Sequence, residues 1–220
     1  MPSLARLAFT QNAKDVQRLL EIHADVGGDA KGRRFGLEVL NKSAIVLITA
    51  VWEAYCEDIA EEALRHLVSH VPSASHLPKE LKKRITADIK SDPNDLAMWD
   101  LADTGWKARA GARLASLTAE RNRRLNTPKA DQIDELFAAA IGLSGVSMAW
   151  RRKKMSVARA RKKLDDCVAL RGTIAHRGVA AASVTKAQVI NYFQHVKRLV
   201  AKTGDRVRAH VRTATGKQPW

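Results

Sequence analysis

The chain predicts an all-α bundle: one long central helix with several shorter helices packed around it. Three observations lead there. Glycine and proline are sparse, 12 and 6 in 220 residues, so few breaks are built into the helices. Ala, Leu, Arg, Lys and Glu dominate, while strand-forming runs stay short. Finally, "SAIVLITAVW" (43–52) is apolar on nearly every side, the pattern of a helix surrounded by others.

The elements follow in order. "QNAKDVQRLLEIHA" (11–24) reads as a short helix that Thr10 caps, and the glycine-rich "DVGGDAKGRR" (25–34) as a loop. One long helix is expected from about Glu38 to His70, ended by the loop "VPSASHLP". Shorter helices are expected near 78–90, 94–102 and 106–120, separated by the turns "SDPND" and "DTG". "LNTPKADQIDELFAAAIGL" (125–143) begins with Thr127 as cap and Pro128 in the first turn. Asp131 and Asp134 suit the positive end of that helix's dipole, and Gly142 its stop. A further helix covers about 155–176. The last starts at "TKAQ", a capping box of Thr185 and Gln188, and runs to about Lys202. Residues 1–203 read as a single domain, and 204–220 as a basic, flexible tail.

The formal net charge is +15, from 38 Lys and Arg against 23 Asp and Glu. A charge of this size speaks to partners rather than fold, and nucleic acid is the expected polyanion. A membrane is not expected: no helix pairs a basic face with a broad exposed apolar one, no apolar run reaches the length of a span, and the longest, "SAIVLITAVWEAYC", is too short and carries Glu53. Cys56 and Cys167 both lie in apolar helical patterns and read as buried reduced thiols, consistent with a cytoplasmic protein. The opening "MPSLARLAFT" has no apolar core of a signal peptide.

Two charges stand out of place. On a helix, Ala160, Leu164, Cys167, Val168, Ile174 and Ala175 form one apolar stripe, and Arg171 falls only about 20° from its centre. A guanidinium there must meet an acid or face a cleft. Glu53 repeats the oddity on the long helix, sharing a side with Val46, Ala50, Ala60 and Leu64. The two are expected to meet, with Glu53 orienting Arg171, so Glu53→Gln should cost stability or activity. A purely architectural ion pair is the alternative. His176 lies about 140° round from Arg171, so the two converge through the length of the arginine, at the helix end near Gly178, or across a dimer interface.

At these residues the chain resembles the HEPN superfamily, and within it the group associated with ribosomal L-PSP-type endoribonucleases. The signature is an arginine, four to six residues, then a histidine late in a helix; here it is Arg171-Gly-Thr-Ile-Ala-His176. The stretches "AIVLITAVWEAYCEDIAEEAL", "NTPKADQIDELFAAAIGL" and "LDDCVALRGTIAHRG" are similar to the same group in the same order, over roughly 38–200. The resemblance implies a HEPN-type helical bundle, usually a homodimer whose Arg-His pairs share one cleft. It further implies a metal-independent endoribonuclease of prokaryotic defence, toxin–antitoxin or stress systems, needing no cofactor, with an antitoxin or defence-system protein as a further partner. His176 would be the general base or acid, Arg171 the phosphate clamp and Glu53 the orienting acid. One position departs from the pattern: the residue after the arginine is typically a polar one, commonly Asn, in active members, and is Gly172 here. It allows either close helix packing at a dimer interface or a non-catalytic copy that binds RNA or a partner protein.

"WRRKKMSVARARKK" (150–163) carries eight basic residues and no acid, leading straight into the Arg171 helix. Arg151, Arg152, Lys153, Lys154, Arg159, Arg161, Lys162 and, beyond the motif, Arg177 are therefore the RNA-binding candidates. "KARAGARLASLTAERNRR" (107–124) forms a weaker basic patch, and Trp106 and Trp150 beside these patches are better read as core anchors than as base-stacking platforms. His66 and His70 have the spacing of a metal pair, with Glu62 in the same row and His76 nearby, but read as an exposed polar helix end. In the row Glu53, Glu57, Glu61, ordinary helix solvation accounts for the last two. No phosphate loop or nucleophile–base pair is present. A basic helical DNA-binding regulator is the third reading, without a recognition-helix pattern behind it.

Overall fold

A computed structural model describes residues 1–27, 36–112, 127–177 and 183–220, excluding the side chains of His176 and Arg177. The described residues form α1 (Leu4–Gly27), α2 (Glu38–His70), α3 (Lys79–Lys90), α4 (105–112), α5 (Ala130–Ile141), α6 (Val157–Arg177) and α7 (Lys186–Thr215). Short 3-10 turns lie at Ala74–His76, Ala97–Leu101 and Val146–Trp150, and there is no strand among the described residues. The all-α expectation holds.

The long helix has its expected bounds, and its apolar first half explains its position. Ile45, Ile48, Trp52, Cys56, Ile59, Leu64 and Leu67 are all buried, covered by α1, α5, α6 and α7. Each such side chain contributes about 1.5–3 kcal/mol by leaving water. By length and composition alone α2 would suffice to cross a membrane, which corrects the expectation that no segment reaches a span. In this fold the other helices supply its apolar surroundings.

α1 starts at Leu4, earlier than expected, and Thr10 is not its cap: Thr10 Oγ1 donates to the Arg6 carbonyl at 2.9 Å, inside the helix. The first turn is capped by Ser3, whose Oγ accepts from Arg6 N–H at 3.0 Å. Glu62 of α2 also accepts from the Leu4 and Ala5 N–H groups, each at 3.1 Å. Thr127 likewise gives way to a long-range cap on α5. There Asp165 of α6 accepts the Ala130 N–H at 2.8 Å. The other end of α5 does stop at Gly142, in the left-handed region at φ 69°.

The residues expected near 94–102 make only the 3-10 turn at Ala97–Leu101, and those of 106–120 beyond 112 lie outside the described part, as does most of the 25–34 loop. α6 begins two residues later than expected because Arg152 and Met155 close a turn through reciprocal backbone hydrogen bonds of 3.1 and 3.0 Å.

The capping box of Thr185 and Gln188 forms as read. The tail does not: α7 continues to Thr215, with Val207 and Val211 fully buried and Gly216 at φ 69° ending the helix. Its periodicity persists past Lys202 because Gly204 is a close-approach position rather than a break. A Cβ there would lie 2.8 Å from the Tyr55 hydroxyl, which itself donates to the Val200 carbonyl at 2.9 Å. Trp150 and Trp106 are both buried, as the core reading of them requires. Trp150 packs edge-on against Trp52 and donates from Nε1 to Thr203 Oγ1 at 2.9 Å.

Candidate functional site

The apolar stripe of α6 is where the periodicity put it. Ala160, Leu164, Val168 and Ile174 are buried, Cys167 is half-buried, and only Ala175 turns outward. Arg171 is half-buried on this stripe. Its charge reaches two other helices, acting on Glu53 of α2 and on Tyr192 of α7.

Glu53 is half-buried at the edge of the core rather than within it. Ala60 and Leu64 on its side are enclosed, whereas Ala50, one turn before, is exposed and Val46 is only partly covered. Burial pushes the Glu53 carboxyl up to about 7. The charge of Glu57, one turn along, adds to this and the Arg171 guanidinium works against it. Glu57, which the pattern assigned to ordinary helix solvation, is thus a correction. It is half-buried, and its charge falls on both Glu53 and Cys56. Its position four residues after Glu53 on the same helix row was the available signal. Glu61 is half-buried, and its carboxylate meets Arg65 one turn along at 2.7 Å.

Around these charges, Tyr192 is buried and shares a 3.0 Å hydroxyl–hydroxyl bond with Thr49, tying α7 to α2. Burial pushes the Cys167 thiol up to about 11 and holds Cys56 well above its ordinary value, so both stay protonated at neutral pH. Neither forms a disulfide. Gly172 is half-buried, and a Cβ built on it meets nothing within 4 Å, so no packing within the described chain requires glycine there. His176 and Arg177 lie in the last turn of α6, with side chains outside the described part. His176 follows Arg171 by about 7.5 Å along the helix axis.

The basic candidates separate into two kinds. Arg151, Lys153, Lys154 and Arg159 are exposed, and Lys154 sits in the left-handed region at φ 67° in the turn before α6. Lys162 is exposed but pairs with Asp166 at 2.8 Å, and Arg152 is half-buried. Arg161 is a correction. Its guanidinium fork closes on Asp131 and on Asp134, the latter at 2.6 Å, and also touches Ser147 Oγ. Asp134 in turn accepts from the Ser147 N–H at 2.8 Å. This network joins α5, α6 and the 146–150 turn, so Arg161 holds the fold together rather than reaching for RNA; Asp131 also lies in the first turn of α5, as the dipole reading expects, while Asp134 lies beyond it. Of the second basic patch, Arg109 bridges Asp92 and Asp100 at 3.1 and 2.5 Å.

The His66 and His70 rings stack with centroids 4.1 Å apart, His70 Nδ1 meeting the His66 carbonyl at 3.1 Å. Glu62 is engaged in capping α1. No group of three or more His, Cys, Asp or Glu suited to a metal ion occurs among the described residues.

Chemically, the face between α2 and α6 joins a permanent cation, Arg171, to a carboxyl that is divided between its acid and base forms at neutral pH. Such a pair suits binding an anion beside a group that can exchange protons. Compared with known families, residues 10–208 match the profile of RiboL-PSP-HEPN. No curated protein and no solved structure matches the chain.

Proposed function

The chain belongs to the RiboL-PSP-HEPN family, and from that premise we propose that it is a metal-independent endoribonuclease of a prokaryotic defence, toxin–antitoxin or stress system. The observation that carries the proposal is that the Arg171 charge on α6 acts on the half-buried Glu53 of α2, with Arg171 on the helix whose last turn holds His176. His176 takes the proton of a ribose 2′-hydroxyl, an exchange that imidazole performs near neutral pH. The 2′-oxygen attacks phosphorus, the bond to the 5′-oxygen breaks, and that oxygen gains a proton. The products are a 2′,3′-cyclic phosphate and a 5′-hydroxyl. Arg171 holds the phosphate and stabilises the charge that builds on it. Glu53 orients Arg171. Being only partly ionised at neutral pH, it neutralises only part of the guanidinium charge and leaves a net attraction for phosphate.

Arg151, Lys153, Lys154 and Arg159 supply the approach surface for the RNA backbone, assisted by Arg152, Lys162 and Arg177. We place the protein in the cytoplasm as a homodimer that brings two Arg171–His176 pairs to one cleft, regulated by an antitoxin or defence-system partner.

Labelled RNA incubated with the protein in a metal chelator tests the reading. Cleavage with cyclic-phosphate ends, abolished by His176→Ala and by Arg171→Ala, is the expected result. Binding without cleavage would favour a non-catalytic HEPN module, a second reading suggested by the glycine that follows Arg171 in place of a polar residue. A preference for duplex DNA would turn the assignment toward a DNA-binding regulator.

A further inference from the structure

Away from α2 and α6, residues 91–106 form a segment unlike the rest of the molecule. It holds four aspartates, Asp92, Asp95, Asp100 and Asp103, and no lysine or arginine, in a chain of net charge +15. Within it Leu96, Met98 and Trp99 are 65%, 65% and 76% exposed. Three large apolar side chains are thus displayed to solvent within four residues, a concentration of exposed apolar surface of the kind that marks a binding site.

The display is held by an organised frame. Ala97 and Trp106 anchor the segment in the core. Asn94 accepts the Leu96 N–H on its side chain at 3.0 Å and the Ala97 N–H on its carbonyl at 2.9 Å. Arg109 then clamps the two ends by bridging Asp92 and Asp100. Because the backbone is pinned, little ordering entropy remains to be lost when a partner docks.

From this surface we infer that the 91–106 segment is a docking site for a cationic amphipathic segment of a partner protein. Charge complementarity selects that occupant. Asp95 and Asp103 are exposed beside the apolar trio and repel RNA and anionic lipid alike. The strongly basic remainder of the chain repels a cationic partner, so this acidic segment is where one can land. Trp99 offers an aromatic face for an arginine or lysine, and Leu96 and Met98 offer apolar contact for the partner's hydrophobic side. The inference rests on exposure and charge and stands independently of the ribonuclease reading.

The test uses the full-length protein and three labelled synthetic peptides of one length, followed by fluorescence anisotropy. One peptide carries Leu at helical spacing with Arg elsewhere, the second replaces Arg by Glu, and the third replaces Leu by Ser. The first should bind, with the other two at least about tenfold weaker. Replacing Met98 and Trp99 together by Ala should weaken the first peptide by at least about tenfold, and Asp95→Lys with Asp103→Lys by a similar factor. Because these side chains are exposed, unchanged circular dichroism is expected in every variant. Equal binding by wild type and both folded variants would overturn the inference, as would binding of the acidic peptide. So would sedimentation showing that wild type self-associates through this patch and that the Ala variant abolishes it, which would make a second copy the occupant.

Discussion

Replacing Glu53 by Gln separates the electrostatics of the site from its packing, because the two side chains are nearly the same size. In the folded chain the carboxyl is pushed from an ordinary 4.5 to about 7. Each unit of such a displacement is worth about 1.4 kcal/mol, so a fully enclosed group would carry about 3 kcal/mol. Glu53 is half-exposed, and water screens much of this, leaving roughly 1–2 kcal/mol. Between pH 4.5 and 7 the folded protein holds a proton that the unfolded chain has released. Stability therefore falls as pH rises through that window, and the full penalty applies above pH 7. Glutamine cannot ionise and escapes the penalty. Urea unfolding at pH 5, 6, 7 and 8 should show Glu53→Gln overtaking wild type by roughly 1–2 kcal/mol at pH 8, with the gap closing by pH 5. This reverses, above neutral pH, the loss of stability that the sequence pattern implied, while the predicted loss of activity stands. A difference between the two proteins that is constant with pH, or that favours wild type as pH rises, would refute the reasoning.

Three further outcomes follow from named contacts. Arg161→Ala should cost about 1–3 kcal/mol in chemical denaturation, since Asp134, which is largely enclosed, loses its charged partner and keeps only the two hydrogen bonds from Ser147. Arg161→Lys should recover only part of that loss, because an ammonium cannot span both aspartates as the fork does. His195 is almost fully buried, its Nε2–H donating to the Ala160 carbonyl at 3.0 Å, and its Nδ1 has no hydrogen-bond partner among the described residues. Burial therefore pushes it down to about 4 from an ordinary 6.5. The unfolded chain takes up the proton first, so stability should be full above pH 6.5 and fall by about 3 kcal/mol as pH drops to 4; His195→Gln should flatten that part of the profile. Gly172→Ala adds a Cβ into open space within a helix, and should raise stability by about 0.5–1 kcal/mol, read as a melting temperature higher by a few degrees. A drop, or a change in oligomeric state, would mean that a second copy packs against that glycine.

What the amino-acid sequence determined by itself was whatever a helix needs only its own residues to specify. The bounds of α2 follow from its apolar run, the stop at Gly142 from a residue that tolerates the left-handed region, and the start of α7 from the reciprocal bonds of Thr185 and Gln188. The stripe on α6, and Arg171 as the intruder in it, were legible for the same reason: a 3.6-residue period is local. Tertiary structure decided the rest, wherever a group chose between neighbours many residues apart. Asp165 displaced Thr127 as the cap of α5, and Glu62 displaced Thr10 at α1. Arg161 met two aspartates instead of a solvent-facing groove. Gly204 let α7 run past Tyr55 where composition pointed to a loose tail. At the candidate site, Glu53 and Arg171 were each recognisable alone. How strongly Glu53 holds its proton depends instead on how much water α6 and α7 exclude, and on Glu57 sharing that half-covered edge. Solvent exclusion is a property of packed helices, and no single helix carries it in its sequence.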